Sequence, residues 1–417
     1  MRRCRAACAS TRRDGSAEPT RPAGSTAVVR RPRVFSTRVL SRLLAVALLV
    51  LAGIAAACAP GRSLEAVRVL GDIEAGSRPN GLKETTPAPL RTFIRFGEDD
   101  AREGDLYLPG EPAKAGLVLV PGLTPRGRDD ARLVDFAKTL ARARFAVLVP
   151  DLPQLRALQV TADDAVPIAD AARYLAGRMA GQPLGIAAVS FAVGPAVLAL
   201  GEPGVQADFF LGIGGYWDLE ALITYVTTGS YRHDGGWAFR PPKAYGKWVF
   251  VLSNAGRLGD AHDAALLTGM AQRKLDDKDA DITDLAGALG PDGRAVYALV
   301  TNADPERVPE LLAALPPELG EEIGRLDLKR RDLARLPVRF VLIHDRSDRI
   351  IPAEQSEAFA ASLTPGQASV YLAGGLDHAQ VKDPGIGDAL TLFQAVLTVL
   401  RLRDGDTPPL AAAPPAR

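Results

Sequence analysis

The feature that most constrains the fold of this chain is a repeated alternation of short apolar runs and longer amphipathic segments. Residues 115–120 (AGLVLV) form a continuous apolar run, which is typical of a parallel strand buried on both faces. Residues 130–142 then carry apolar side chains at helical spacing. The alternation returns at residues 145–149, 163–179, 184–189, 192–200 and 207–213, and again at 338–344, 353–363, 368–372 and 386–403. It predicts the α/β class: a doubly wound, mostly parallel sheet with helices on both faces.

Two further segments complete the predicted domain, which spans residues 91–405. Residues 91–96 and 104–108 alternate in polarity and predict a hairpin. Residues 217–336 have helical spacing and no strand-like run beyond 248–252, so we expect a helical insertion there. All three Trp and four of the eight Tyr lie between residues 216 and 248. They indicate either an aromatic wall over an apolar pocket, a face that touches lipid headgroups, or ordinary helix packing.

The charge of the chain is strongly asymmetric along its length. Residues 1–57 hold eleven Arg, no Lys and two acids, a net charge of +9. The other 360 residues carry 39 basic and 47 acidic side chains, a net charge of −8. An acidic body makes nucleic acid an unfavourable partner, and we expect none.

The N-terminal region predicts export. An uncharged apolar stretch at residues 43–57 follows Arg38 and Arg42, which is the layout of a secretory signal. Small residues then precede Cys58, and this arrangement resembles the lipobox of bacterial lipoproteins, which implies lipidation of Cys58. An uncleaved membrane anchor and ordinary cleavage remain alternatives. Each places the body on the extracytoplasmic face of the cell membrane. We expect a flexible tether at residues 58–90 and a disordered tail at 406–417.

The candidate chemistry begins at Ser190, which follows the apolar run at 184–189 and precedes a predicted helix. Ala188 and Ala192 leave room for a sharp strand-to-helix turn that lifts the serine side chain out of the sheet. The alternative is a serine that only caps the helix.

Two later segments extend this pattern. The sequence from His344 to Pro352, which contains Asp348, resembles the acid-bearing segment of α/β-hydrolases, and Gly374 to His378 resembles their histidine segment. The chain order Ser190, Asp348, His378 is also that of an α/β-hydrolase. The resemblance covers about residues 91–220 and 336–405. It implies an α/β-hydrolase fold in which residues 217–336 form a cap over the pocket.

The resemblance implies a catalytic role for each of these residues. Ser190 would be the nucleophile, His378 its base and Asp348 the acid that orients the histidine. The backbone N–H groups of Phe191 and Leu123 are the candidate oxyanion donors.

Two other acids remain open alternatives to Asp348. Asp345 lies three residues before it, and Asp218 follows the apolar run at 207–213. The four scattered histidines and the single cysteine of the body give no metal-ligand spacing, so we expect no metal and no cofactor.

The sequence therefore predicts a serine hydrolase that cleaves an ester or related acyl bond in a small, apolar acyl substrate. It would be held at the membrane by an N-terminal lipid or helix. The alternatives are an acyltransferase with the same three residues and a catalytically silent binding protein of the cell envelope.

Overall fold

The computed structural model describes residues 60–375 and 385–406, and these form ten strands and fifteen helices together with short 3₁₀ turns. The strands are β1 (Leu90–Phe96), β2 (Arg102–Leu108), β3 (Ala115–Val120), β4 (Phe145–Pro150), β5 (Leu184–Val189), β6 (Phe209–Ile213), β7 (Ser230–His233), β8 (Gly236–Phe239), β9 (Arg339–Asp345) and β10 (Ala368–Ala373).

The helices before the sixth strand are α1 (Pro60–Ala75), α2 (Gly81–Thr85), α3 (Ala131–Arg142), α4 (Pro153–Arg156), α5 (Ala165–Arg178) and α6 (Val193–Ala199). Those after it are α7 (Leu219–Thr228), α8 (Ala244–Ala255), α9 (Ala261–Asp276), α10 (Thr283–Gly287), α11 (Pro291–Thr301), α12 (Val308–Ala313), α13 (Pro317–Leu326), α14 (Glu354–Ala361) and α15 (Ile386–Arg403).

Eight of the strands form one sheet in the order β1-β2-β4-β3-β5-β6-β9-β10. The first two pair as the predicted antiparallel hairpin, and β2 is antiparallel to β4. From β4 to β10 in this order, each strand runs parallel to the next one. The predicted α/β fold class, a mostly parallel sheet with helices on both faces, is confirmed.

Both faces of the sheet are covered, which explains the unbroken apolar runs. Along β3, Val118 and Val120 point into the core under α5 and α6, while Leu117 and Leu119 point into the core under α1, α3 and α15. Every residue of β3 and β4 is buried. When both faces of a strand are covered, the side chains that point to either face are buried. Polar residues are then excluded at every position, and the alternation of polar and apolar residues disappears.

The chain between β6 and β9 is mainly helical, as the sequence predicted. It contains α7 to α13 and the two-stranded sheet of β7 and β8. The apolar run at residues 248–252, the one strand-like run of the region, lies inside α8 and not in a strand. Five consecutive apolar residues fit a buried helix as well as a strand, and here a helix of twelve residues includes them.

The prediction of a flexible tether at residues 58–90 is wrong for the part that the structure describes. Residues 60–75 form α1, in which Ala66 and Val69 are buried against the sheet-covering helices. Asp72 on the same helix is also buried, and its carboxylate accepts hydrogen bonds from Thr139 (2.6 Å), Asn80 and Lys83. The segment is rich in small and polar residues, but it buries one face against α15 and α3.

Residues 1–59, 376–384 and 407–417 lie outside the described residues. The predicted signal, lipidation at Cys58 and disordered tail therefore remain predictions. Across residues 60–375 and 385–406, no helix combines the length and apolarity needed to cross a bilayer.

Candidate functional site

The site lies at the carboxyl edge of the sheet, where consecutive parallel strands end side by side. Strand β5 ends immediately before Ser190, and β9 ends just before Asp348. Strand β6 lies between them and ends before Gly214. Ligands of open α/β sheets bind at this edge, because the loops after the strands converge there.

Ser190 occupies a strained turn between β5 and α6. Its φ angle is +60°, in the left-handed region that side-chain-bearing residues seldom adopt. The residue before it is extended, and a 3₁₀ turn at Ser190–Ala192 follows at once. Ala188 and Ala192 are fully buried on either side, so the turn has the small neighbours that the sequence predicted. Ser190 is itself buried, with 6% of the residue's surface exposed.

Close backbone packing holds the helix after this turn in place. A Cβ atom at Gly194, one turn into the helical segment, would lie 1.9 Å from the hydroxyl oxygen of Tyr216. Tyr216 is buried, and its hydroxyl donates to the Leu326 carbonyl at 3.2 Å. Burial raises the pKa of Tyr216, so this hydroxyl keeps its proton as a donor. The glycine therefore lets the segment that follows β6 pack directly on α6.

Asp348 lies in the turn after β9 and is held by backbone donors. One carboxylate oxygen accepts hydrogen bonds from the N–H groups of Ile350 (2.7 Å) and Ile351 (3.2 Å). The other oxygen lies 3.8 Å from the position that a Cβ atom would take at Gly214. Asp348 is buried at the end of the strand next to β6, so it faces the same sheet edge as Ser190.

His344 is buried close to Asp348 but is engaged elsewhere. Its Nδ1 lies 2.7 Å from the Ser356 hydroxyl, and its Nε2 lies 2.9 Å from the Ile351 carbonyl oxygen. An acceptor carbonyl at Nε2 requires the N–H there, so Nδ1 accepts from the serine hydroxyl. The Nε2 atom is also 3.6 Å from an Asp348 oxygen. His344 thus braces the turn that carries Asp348.

The two alternative acids have other partners. Asp345 accepts from the backbone N–H and the hydroxyl of Ser347, both at 2.7 Å. Asp218 caps α7 by accepting from the Ala221 N–H at 2.9 Å, and it binds the Lys329 ammonium at 2.6 Å. These contacts are those of local turn and capping residues.

The candidate oxyanion donors lie on the two segments that meet beside Ser190. Phe191 is the first residue after the serine, and a backbone N–H at the start of a helical turn has no acceptor within that helix. Gly122, in the loop after β3, packs against the end of β5: its Cβ would lie 3.5 Å from the Val189 carbonyl oxygen. Leu123 follows in the same loop, half-buried beside the core.

His378 lies in the segment that the structure does not describe, so its position relative to Ser190 and Asp348 stays a prediction. The residues on either side of that segment are hydrogen-bonded to each other. Asp388 on α15 accepts from the Gly374 N–H at 2.8 Å and from Arg346 at 2.7 Å. The Gly374 hydrogen bond, supported by the Arg346 charge, lowers the pKa of Asp388. Asp388 was not among the predicted site residues; the signal that could have found it is its place as an acid in the first turn of α15.

A second group that sequence reasoning missed joins the insertion to the Asp348 turn. Arg240 donates to the Asp348 carbonyl oxygen (3.4 Å), to Glu354 (3.1 Å) and to the Tyr231 hydroxyl (3.2 Å). The Lys243 N–H donates to the Arg349 carbonyl at 2.7 Å, and Arg349 donates back to the Pro241 carbonyl at 2.8 Å. We call residues 240–243 with 348–349 the acid-turn clamp.

Most aromatic residues of the 216–248 window are packing residues. Tyr216, Trp217, Tyr225 and Trp248 are buried, and Trp217 stacks on Phe359 with ring centroids 5.0 Å apart. Trp237, on β8, is the exception among the tryptophans, with 37% of its surface exposed. Ordinary packing therefore accounts for most of this window.

The site contains carboxylates and a serine but no evident ligand set for a metal. In the part of the chain that the structure describes, no three His, Cys, Asp or Glu side chains are grouped to hold an ion.

No family model and no curated protein matches the chain. Solved structures do resemble it. The rice cell wall degrading esterase LipA from Xanthomonas oryzae is 12% identical, with a TM-score of 0.46, over 79% of this chain and 93% of that one. A puromycin-hydrolyzing peptidase from Mycobacterium tuberculosis is 14% identical, with a TM-score of 0.44, over 79% of this chain and 40% of that one.

A dienelactone hydrolase from Anabaena variabilis is 12% identical to this chain, with a TM-score of 0.39, over 75% of this chain and 98% of that one. Likeness at this level carries no information about activity. The sheet order and the geometry of the carboxyl edge therefore carry the functional argument on their own.

Proposed function

We propose that this protein is a serine hydrolase that cleaves an ester or a related acyl bond. In this proposal Ser190 is the nucleophile, His378 the general base and Asp348 the acid that orients the histidine. The observation that carries the proposal is the backbone of Ser190: a buried serine with a φ angle of +60° at the carboxyl end of a parallel strand. Such strain costs about 1–3 kcal/mol and is typical of functional sites. A capping serine needs no left-handed backbone, because Ncap residues are extended.

The reaction would proceed through an acyl-enzyme. His378 takes the proton of the Ser190 hydroxyl while Oγ attacks the acyl carbon, which places a negative charge on the carbonyl oxygen. The N–H groups of Phe191 and Leu123 would stabilise that oxyanion. The intermediate collapses when the leaving group departs with the proton from His378. The same histidine then deprotonates a water molecule, which attacks the acyl-enzyme. Ser190 regains its proton from His378 as the carboxylic acid product is released.

Asp348 suits the supporting role in this scheme. Its carboxylate is buried, and backbone N–H groups hold one of its oxygens, so its orientation is set by the turn. A buried carboxylate can fix the tautomer of an imidazole and stabilise the positive charge that develops on it. The half-buried apolar side chains of Leu123 and Phe191 favour an apolar acyl group in the substrate.

Covalent labelling tests the nucleophile. We expect a fluorophosphonate probe to label the folded wild-type chain, and Ser190→Ala to abolish labelling. His378→Ala should slow labelling by several orders of magnitude, because the serine loses its base. Ser77→Ala, which changes an exposed serine in the turn after α1, is the control and should label like the wild type.

Two results would contradict the proposal. A folded wild-type chain that resists labelling would leave a silent binding protein as the better interpretation. Labelling that survives Ser190→Ala would place the nucleophile elsewhere. If an added alcohol diverts the acyl group to a new ester in preference to water, the enzyme is an acyltransferase with the same residues.

A further inference from the structure

A cavity of about 320 Å³ lies at the edge of the sheet opposite to Ser190. Its walls come from α1, α2, the loop between β2 and β3, and the end of α3. Lys114 and Arg144, which precede β3 and β4, line it, so it lies at the amino ends of these strands. The cavity is therefore separate from the site proposed for catalysis, and it has the size of a small-molecule site.

The cavity is lined by four cations and two acids. The cations are Arg68, Lys114, Arg142 and Arg144, and the acids are Glu65 and Glu111. Each acid has a cation of its own: Glu65 binds Arg403 (3.0 Å), and Glu111 lies 3.5 Å from Arg144. Lys114 is in turn paired with Asp404 at 3.1 Å.

Two guanidinium groups are left over. In residues 60–375 and 385–406, neither Arg68 nor Arg142 has a hydrogen-bond or ion-pair partner for its side chain. In Arg142, the Nε atom and one of the two terminal nitrogen atoms are not only without a partner but also buried. A buried N–H donor without an acceptor is unfavourable by about 1–3 kcal/mol, and more when the group is charged. An anion beside Arg142 would remove that penalty, and Arg68 would supply a second, solvent-facing charge.

The volume and the lining of the cavity indicate the class of anion. Guanidinium groups bind phosphate through paired N–H donors, and a tetrahedral phosphate can accept from more than one of them at once. The volume exceeds what a phosphate alone fills, and Leu64, Leu82, Pro87 and Pro109 add apolar wall. We propose that this cavity binds an organophosphate: a phosphate ester whose short organic part lies against the apolar wall.

Such a phosphate has two sources, a soluble phosphate ester or the headgroup of a phospholipid. Calorimetric titration of the purified chain with glycerol 3-phosphate tests the first. Co-flotation with vesicles of phosphatidylglycerol in phosphatidylcholine, compared with phosphatidylcholine alone, tests the second. We expect saturable, salt-sensitive binding in at least one arm, with one site per chain.

Variants locate the binding. Arg68→Gln and Arg142→Gln should each weaken it about tenfold or more, since each removes a charge-assisted hydrogen bond. Arg307→Gln changes an exposed arginine of the insertion that does not line the cavity, so it should bind like the wild type. Because Arg68 is exposed, its substitution does not change the core. The Arg68→Gln variant therefore still tests the proposal if Arg142→Gln impairs folding.

The proposal is overturned if neither probe binds to the wild-type chain. It is also overturned if Arg68→Gln and Arg142→Gln each bind the probes as tightly as Arg307→Gln does. A change in thermal stability without a change in binding also overturns it, because Arg142 would then serve only the carboxyl end of α3. Fluorophosphonate labelling at Ser190 should be the same in all these variants, so this test is independent of the proposed hydrolase activity.

Discussion

At the scale of single residues, the proposed site is marked by burial and backbone strain. Ser190 has a left-handed φ angle, and Asp348 has one carboxylate oxygen held by two backbone N–H groups. His344 lies closer to Asp348 in sequence than His378 does, yet both of its ring nitrogens already have partners. Those partners are the Ser356 hydroxyl and the Ile351 carbonyl, and neither is the Ser190 hydroxyl, so His344 is not placed to take the proton of that serine.

Asp164 is a buried acid without a catalytic assignment. It begins the turn into α5, and its Oδ2 has no hydrogen-bond partner among the residues that the structure describes. Burial raises the pKa of Asp164 to about 7, and the negative charges of Asp163 and Glu322 act in the same direction. Arg257 opposes them only partly.

This pKa predicts a loss of stability as the pH rises. An unfolded aspartate titrates near 3.9, so the folded chain holds an extra proton between about pH 4 and pH 7. The free energy of unfolding should fall as pH rises through that window. Asp164→Asn keeps the shape of the side chain but removes its charge. Urea unfolding of this variant should show a smaller decrease in the free energy of unfolding between pH 5 and pH 8 than the wild type shows.

Asp99→Asn, an exposed acid in a turn, is the control and should keep the wild-type pH dependence. Equal pH dependence in Asp164→Asn and the wild type would show that Asp164 is ionised throughout.

At the scale of elements, the insertion takes part in holding the turn that carries Asp348. The acid-turn clamp joins residues just after β8 to the turn after β9 by hydrogen bonds to the Asp348 and Arg349 carbonyls. Gln355 adds a second junction, because its side-chain oxygen accepts from the N–H groups of Trp217 and Asp218, both at 2.9 Å. The position of Asp348 therefore depends on the insertion as well as on its own strand.

If Asp348 is the acid, Arg240→Ala should lower kcat for a p-nitrophenyl ester by about tenfold to a hundredfold, with little change in KM. The reason is that a shift of about 1 Å in a supporting group is expected to cost this much. Arg240→Lys should recover part of the rate, since it keeps the charge but not the fork of donors.

Arg232→Ala is the control on the same hairpin. Arg232 stacks on the exposed Trp237 ring at 3.7 Å and should leave kcat unchanged. A rate in Arg240→Ala that equals the wild type would mean that the clamp does not position Asp348.

At the scale of the whole molecule, the first and last helices described are joined by a buried cation. Arg403 at the end of α15 is fully buried, and it donates to Glu65 on α1 (3.0 Å) and to the Ala143 carbonyl (2.8 Å). Burial alone would lower the pKa of Arg403, but Glu65 and Asp404 more than offset this and raise it. Helix α1 is therefore part of the folded domain.

Glu65→Gln should lower the free energy of unfolding by about 1–3 kcal/mol, because it leaves a buried guanidinium short of its counter-charge. Glu74→Gln, an exposed acid without a side-chain partner in the described residues, should stay within about 0.5 kcal/mol of the wild type. Urea unfolding of the three chains measures both. A loss in Glu65→Gln no larger than in Glu74→Gln would mean that α1 contributes little to the stability of the domain.

The residue pattern predicts the strands of the eight-stranded sheet, their alternation with helices and the fold class, because an element buried on one or two faces carries a regular spacing of apolar residues. It also determined that Ser190 and Asp348 follow strands of one parallel sheet. The packing of α1, the helical state of residues 248–252, the acid-turn clamp and the cationic cavity were decided only by the tertiary structure. Those features depend on pairs as far apart as Glu65 and Arg403, and no local pattern records which distant charge or carbonyl a side chain will meet.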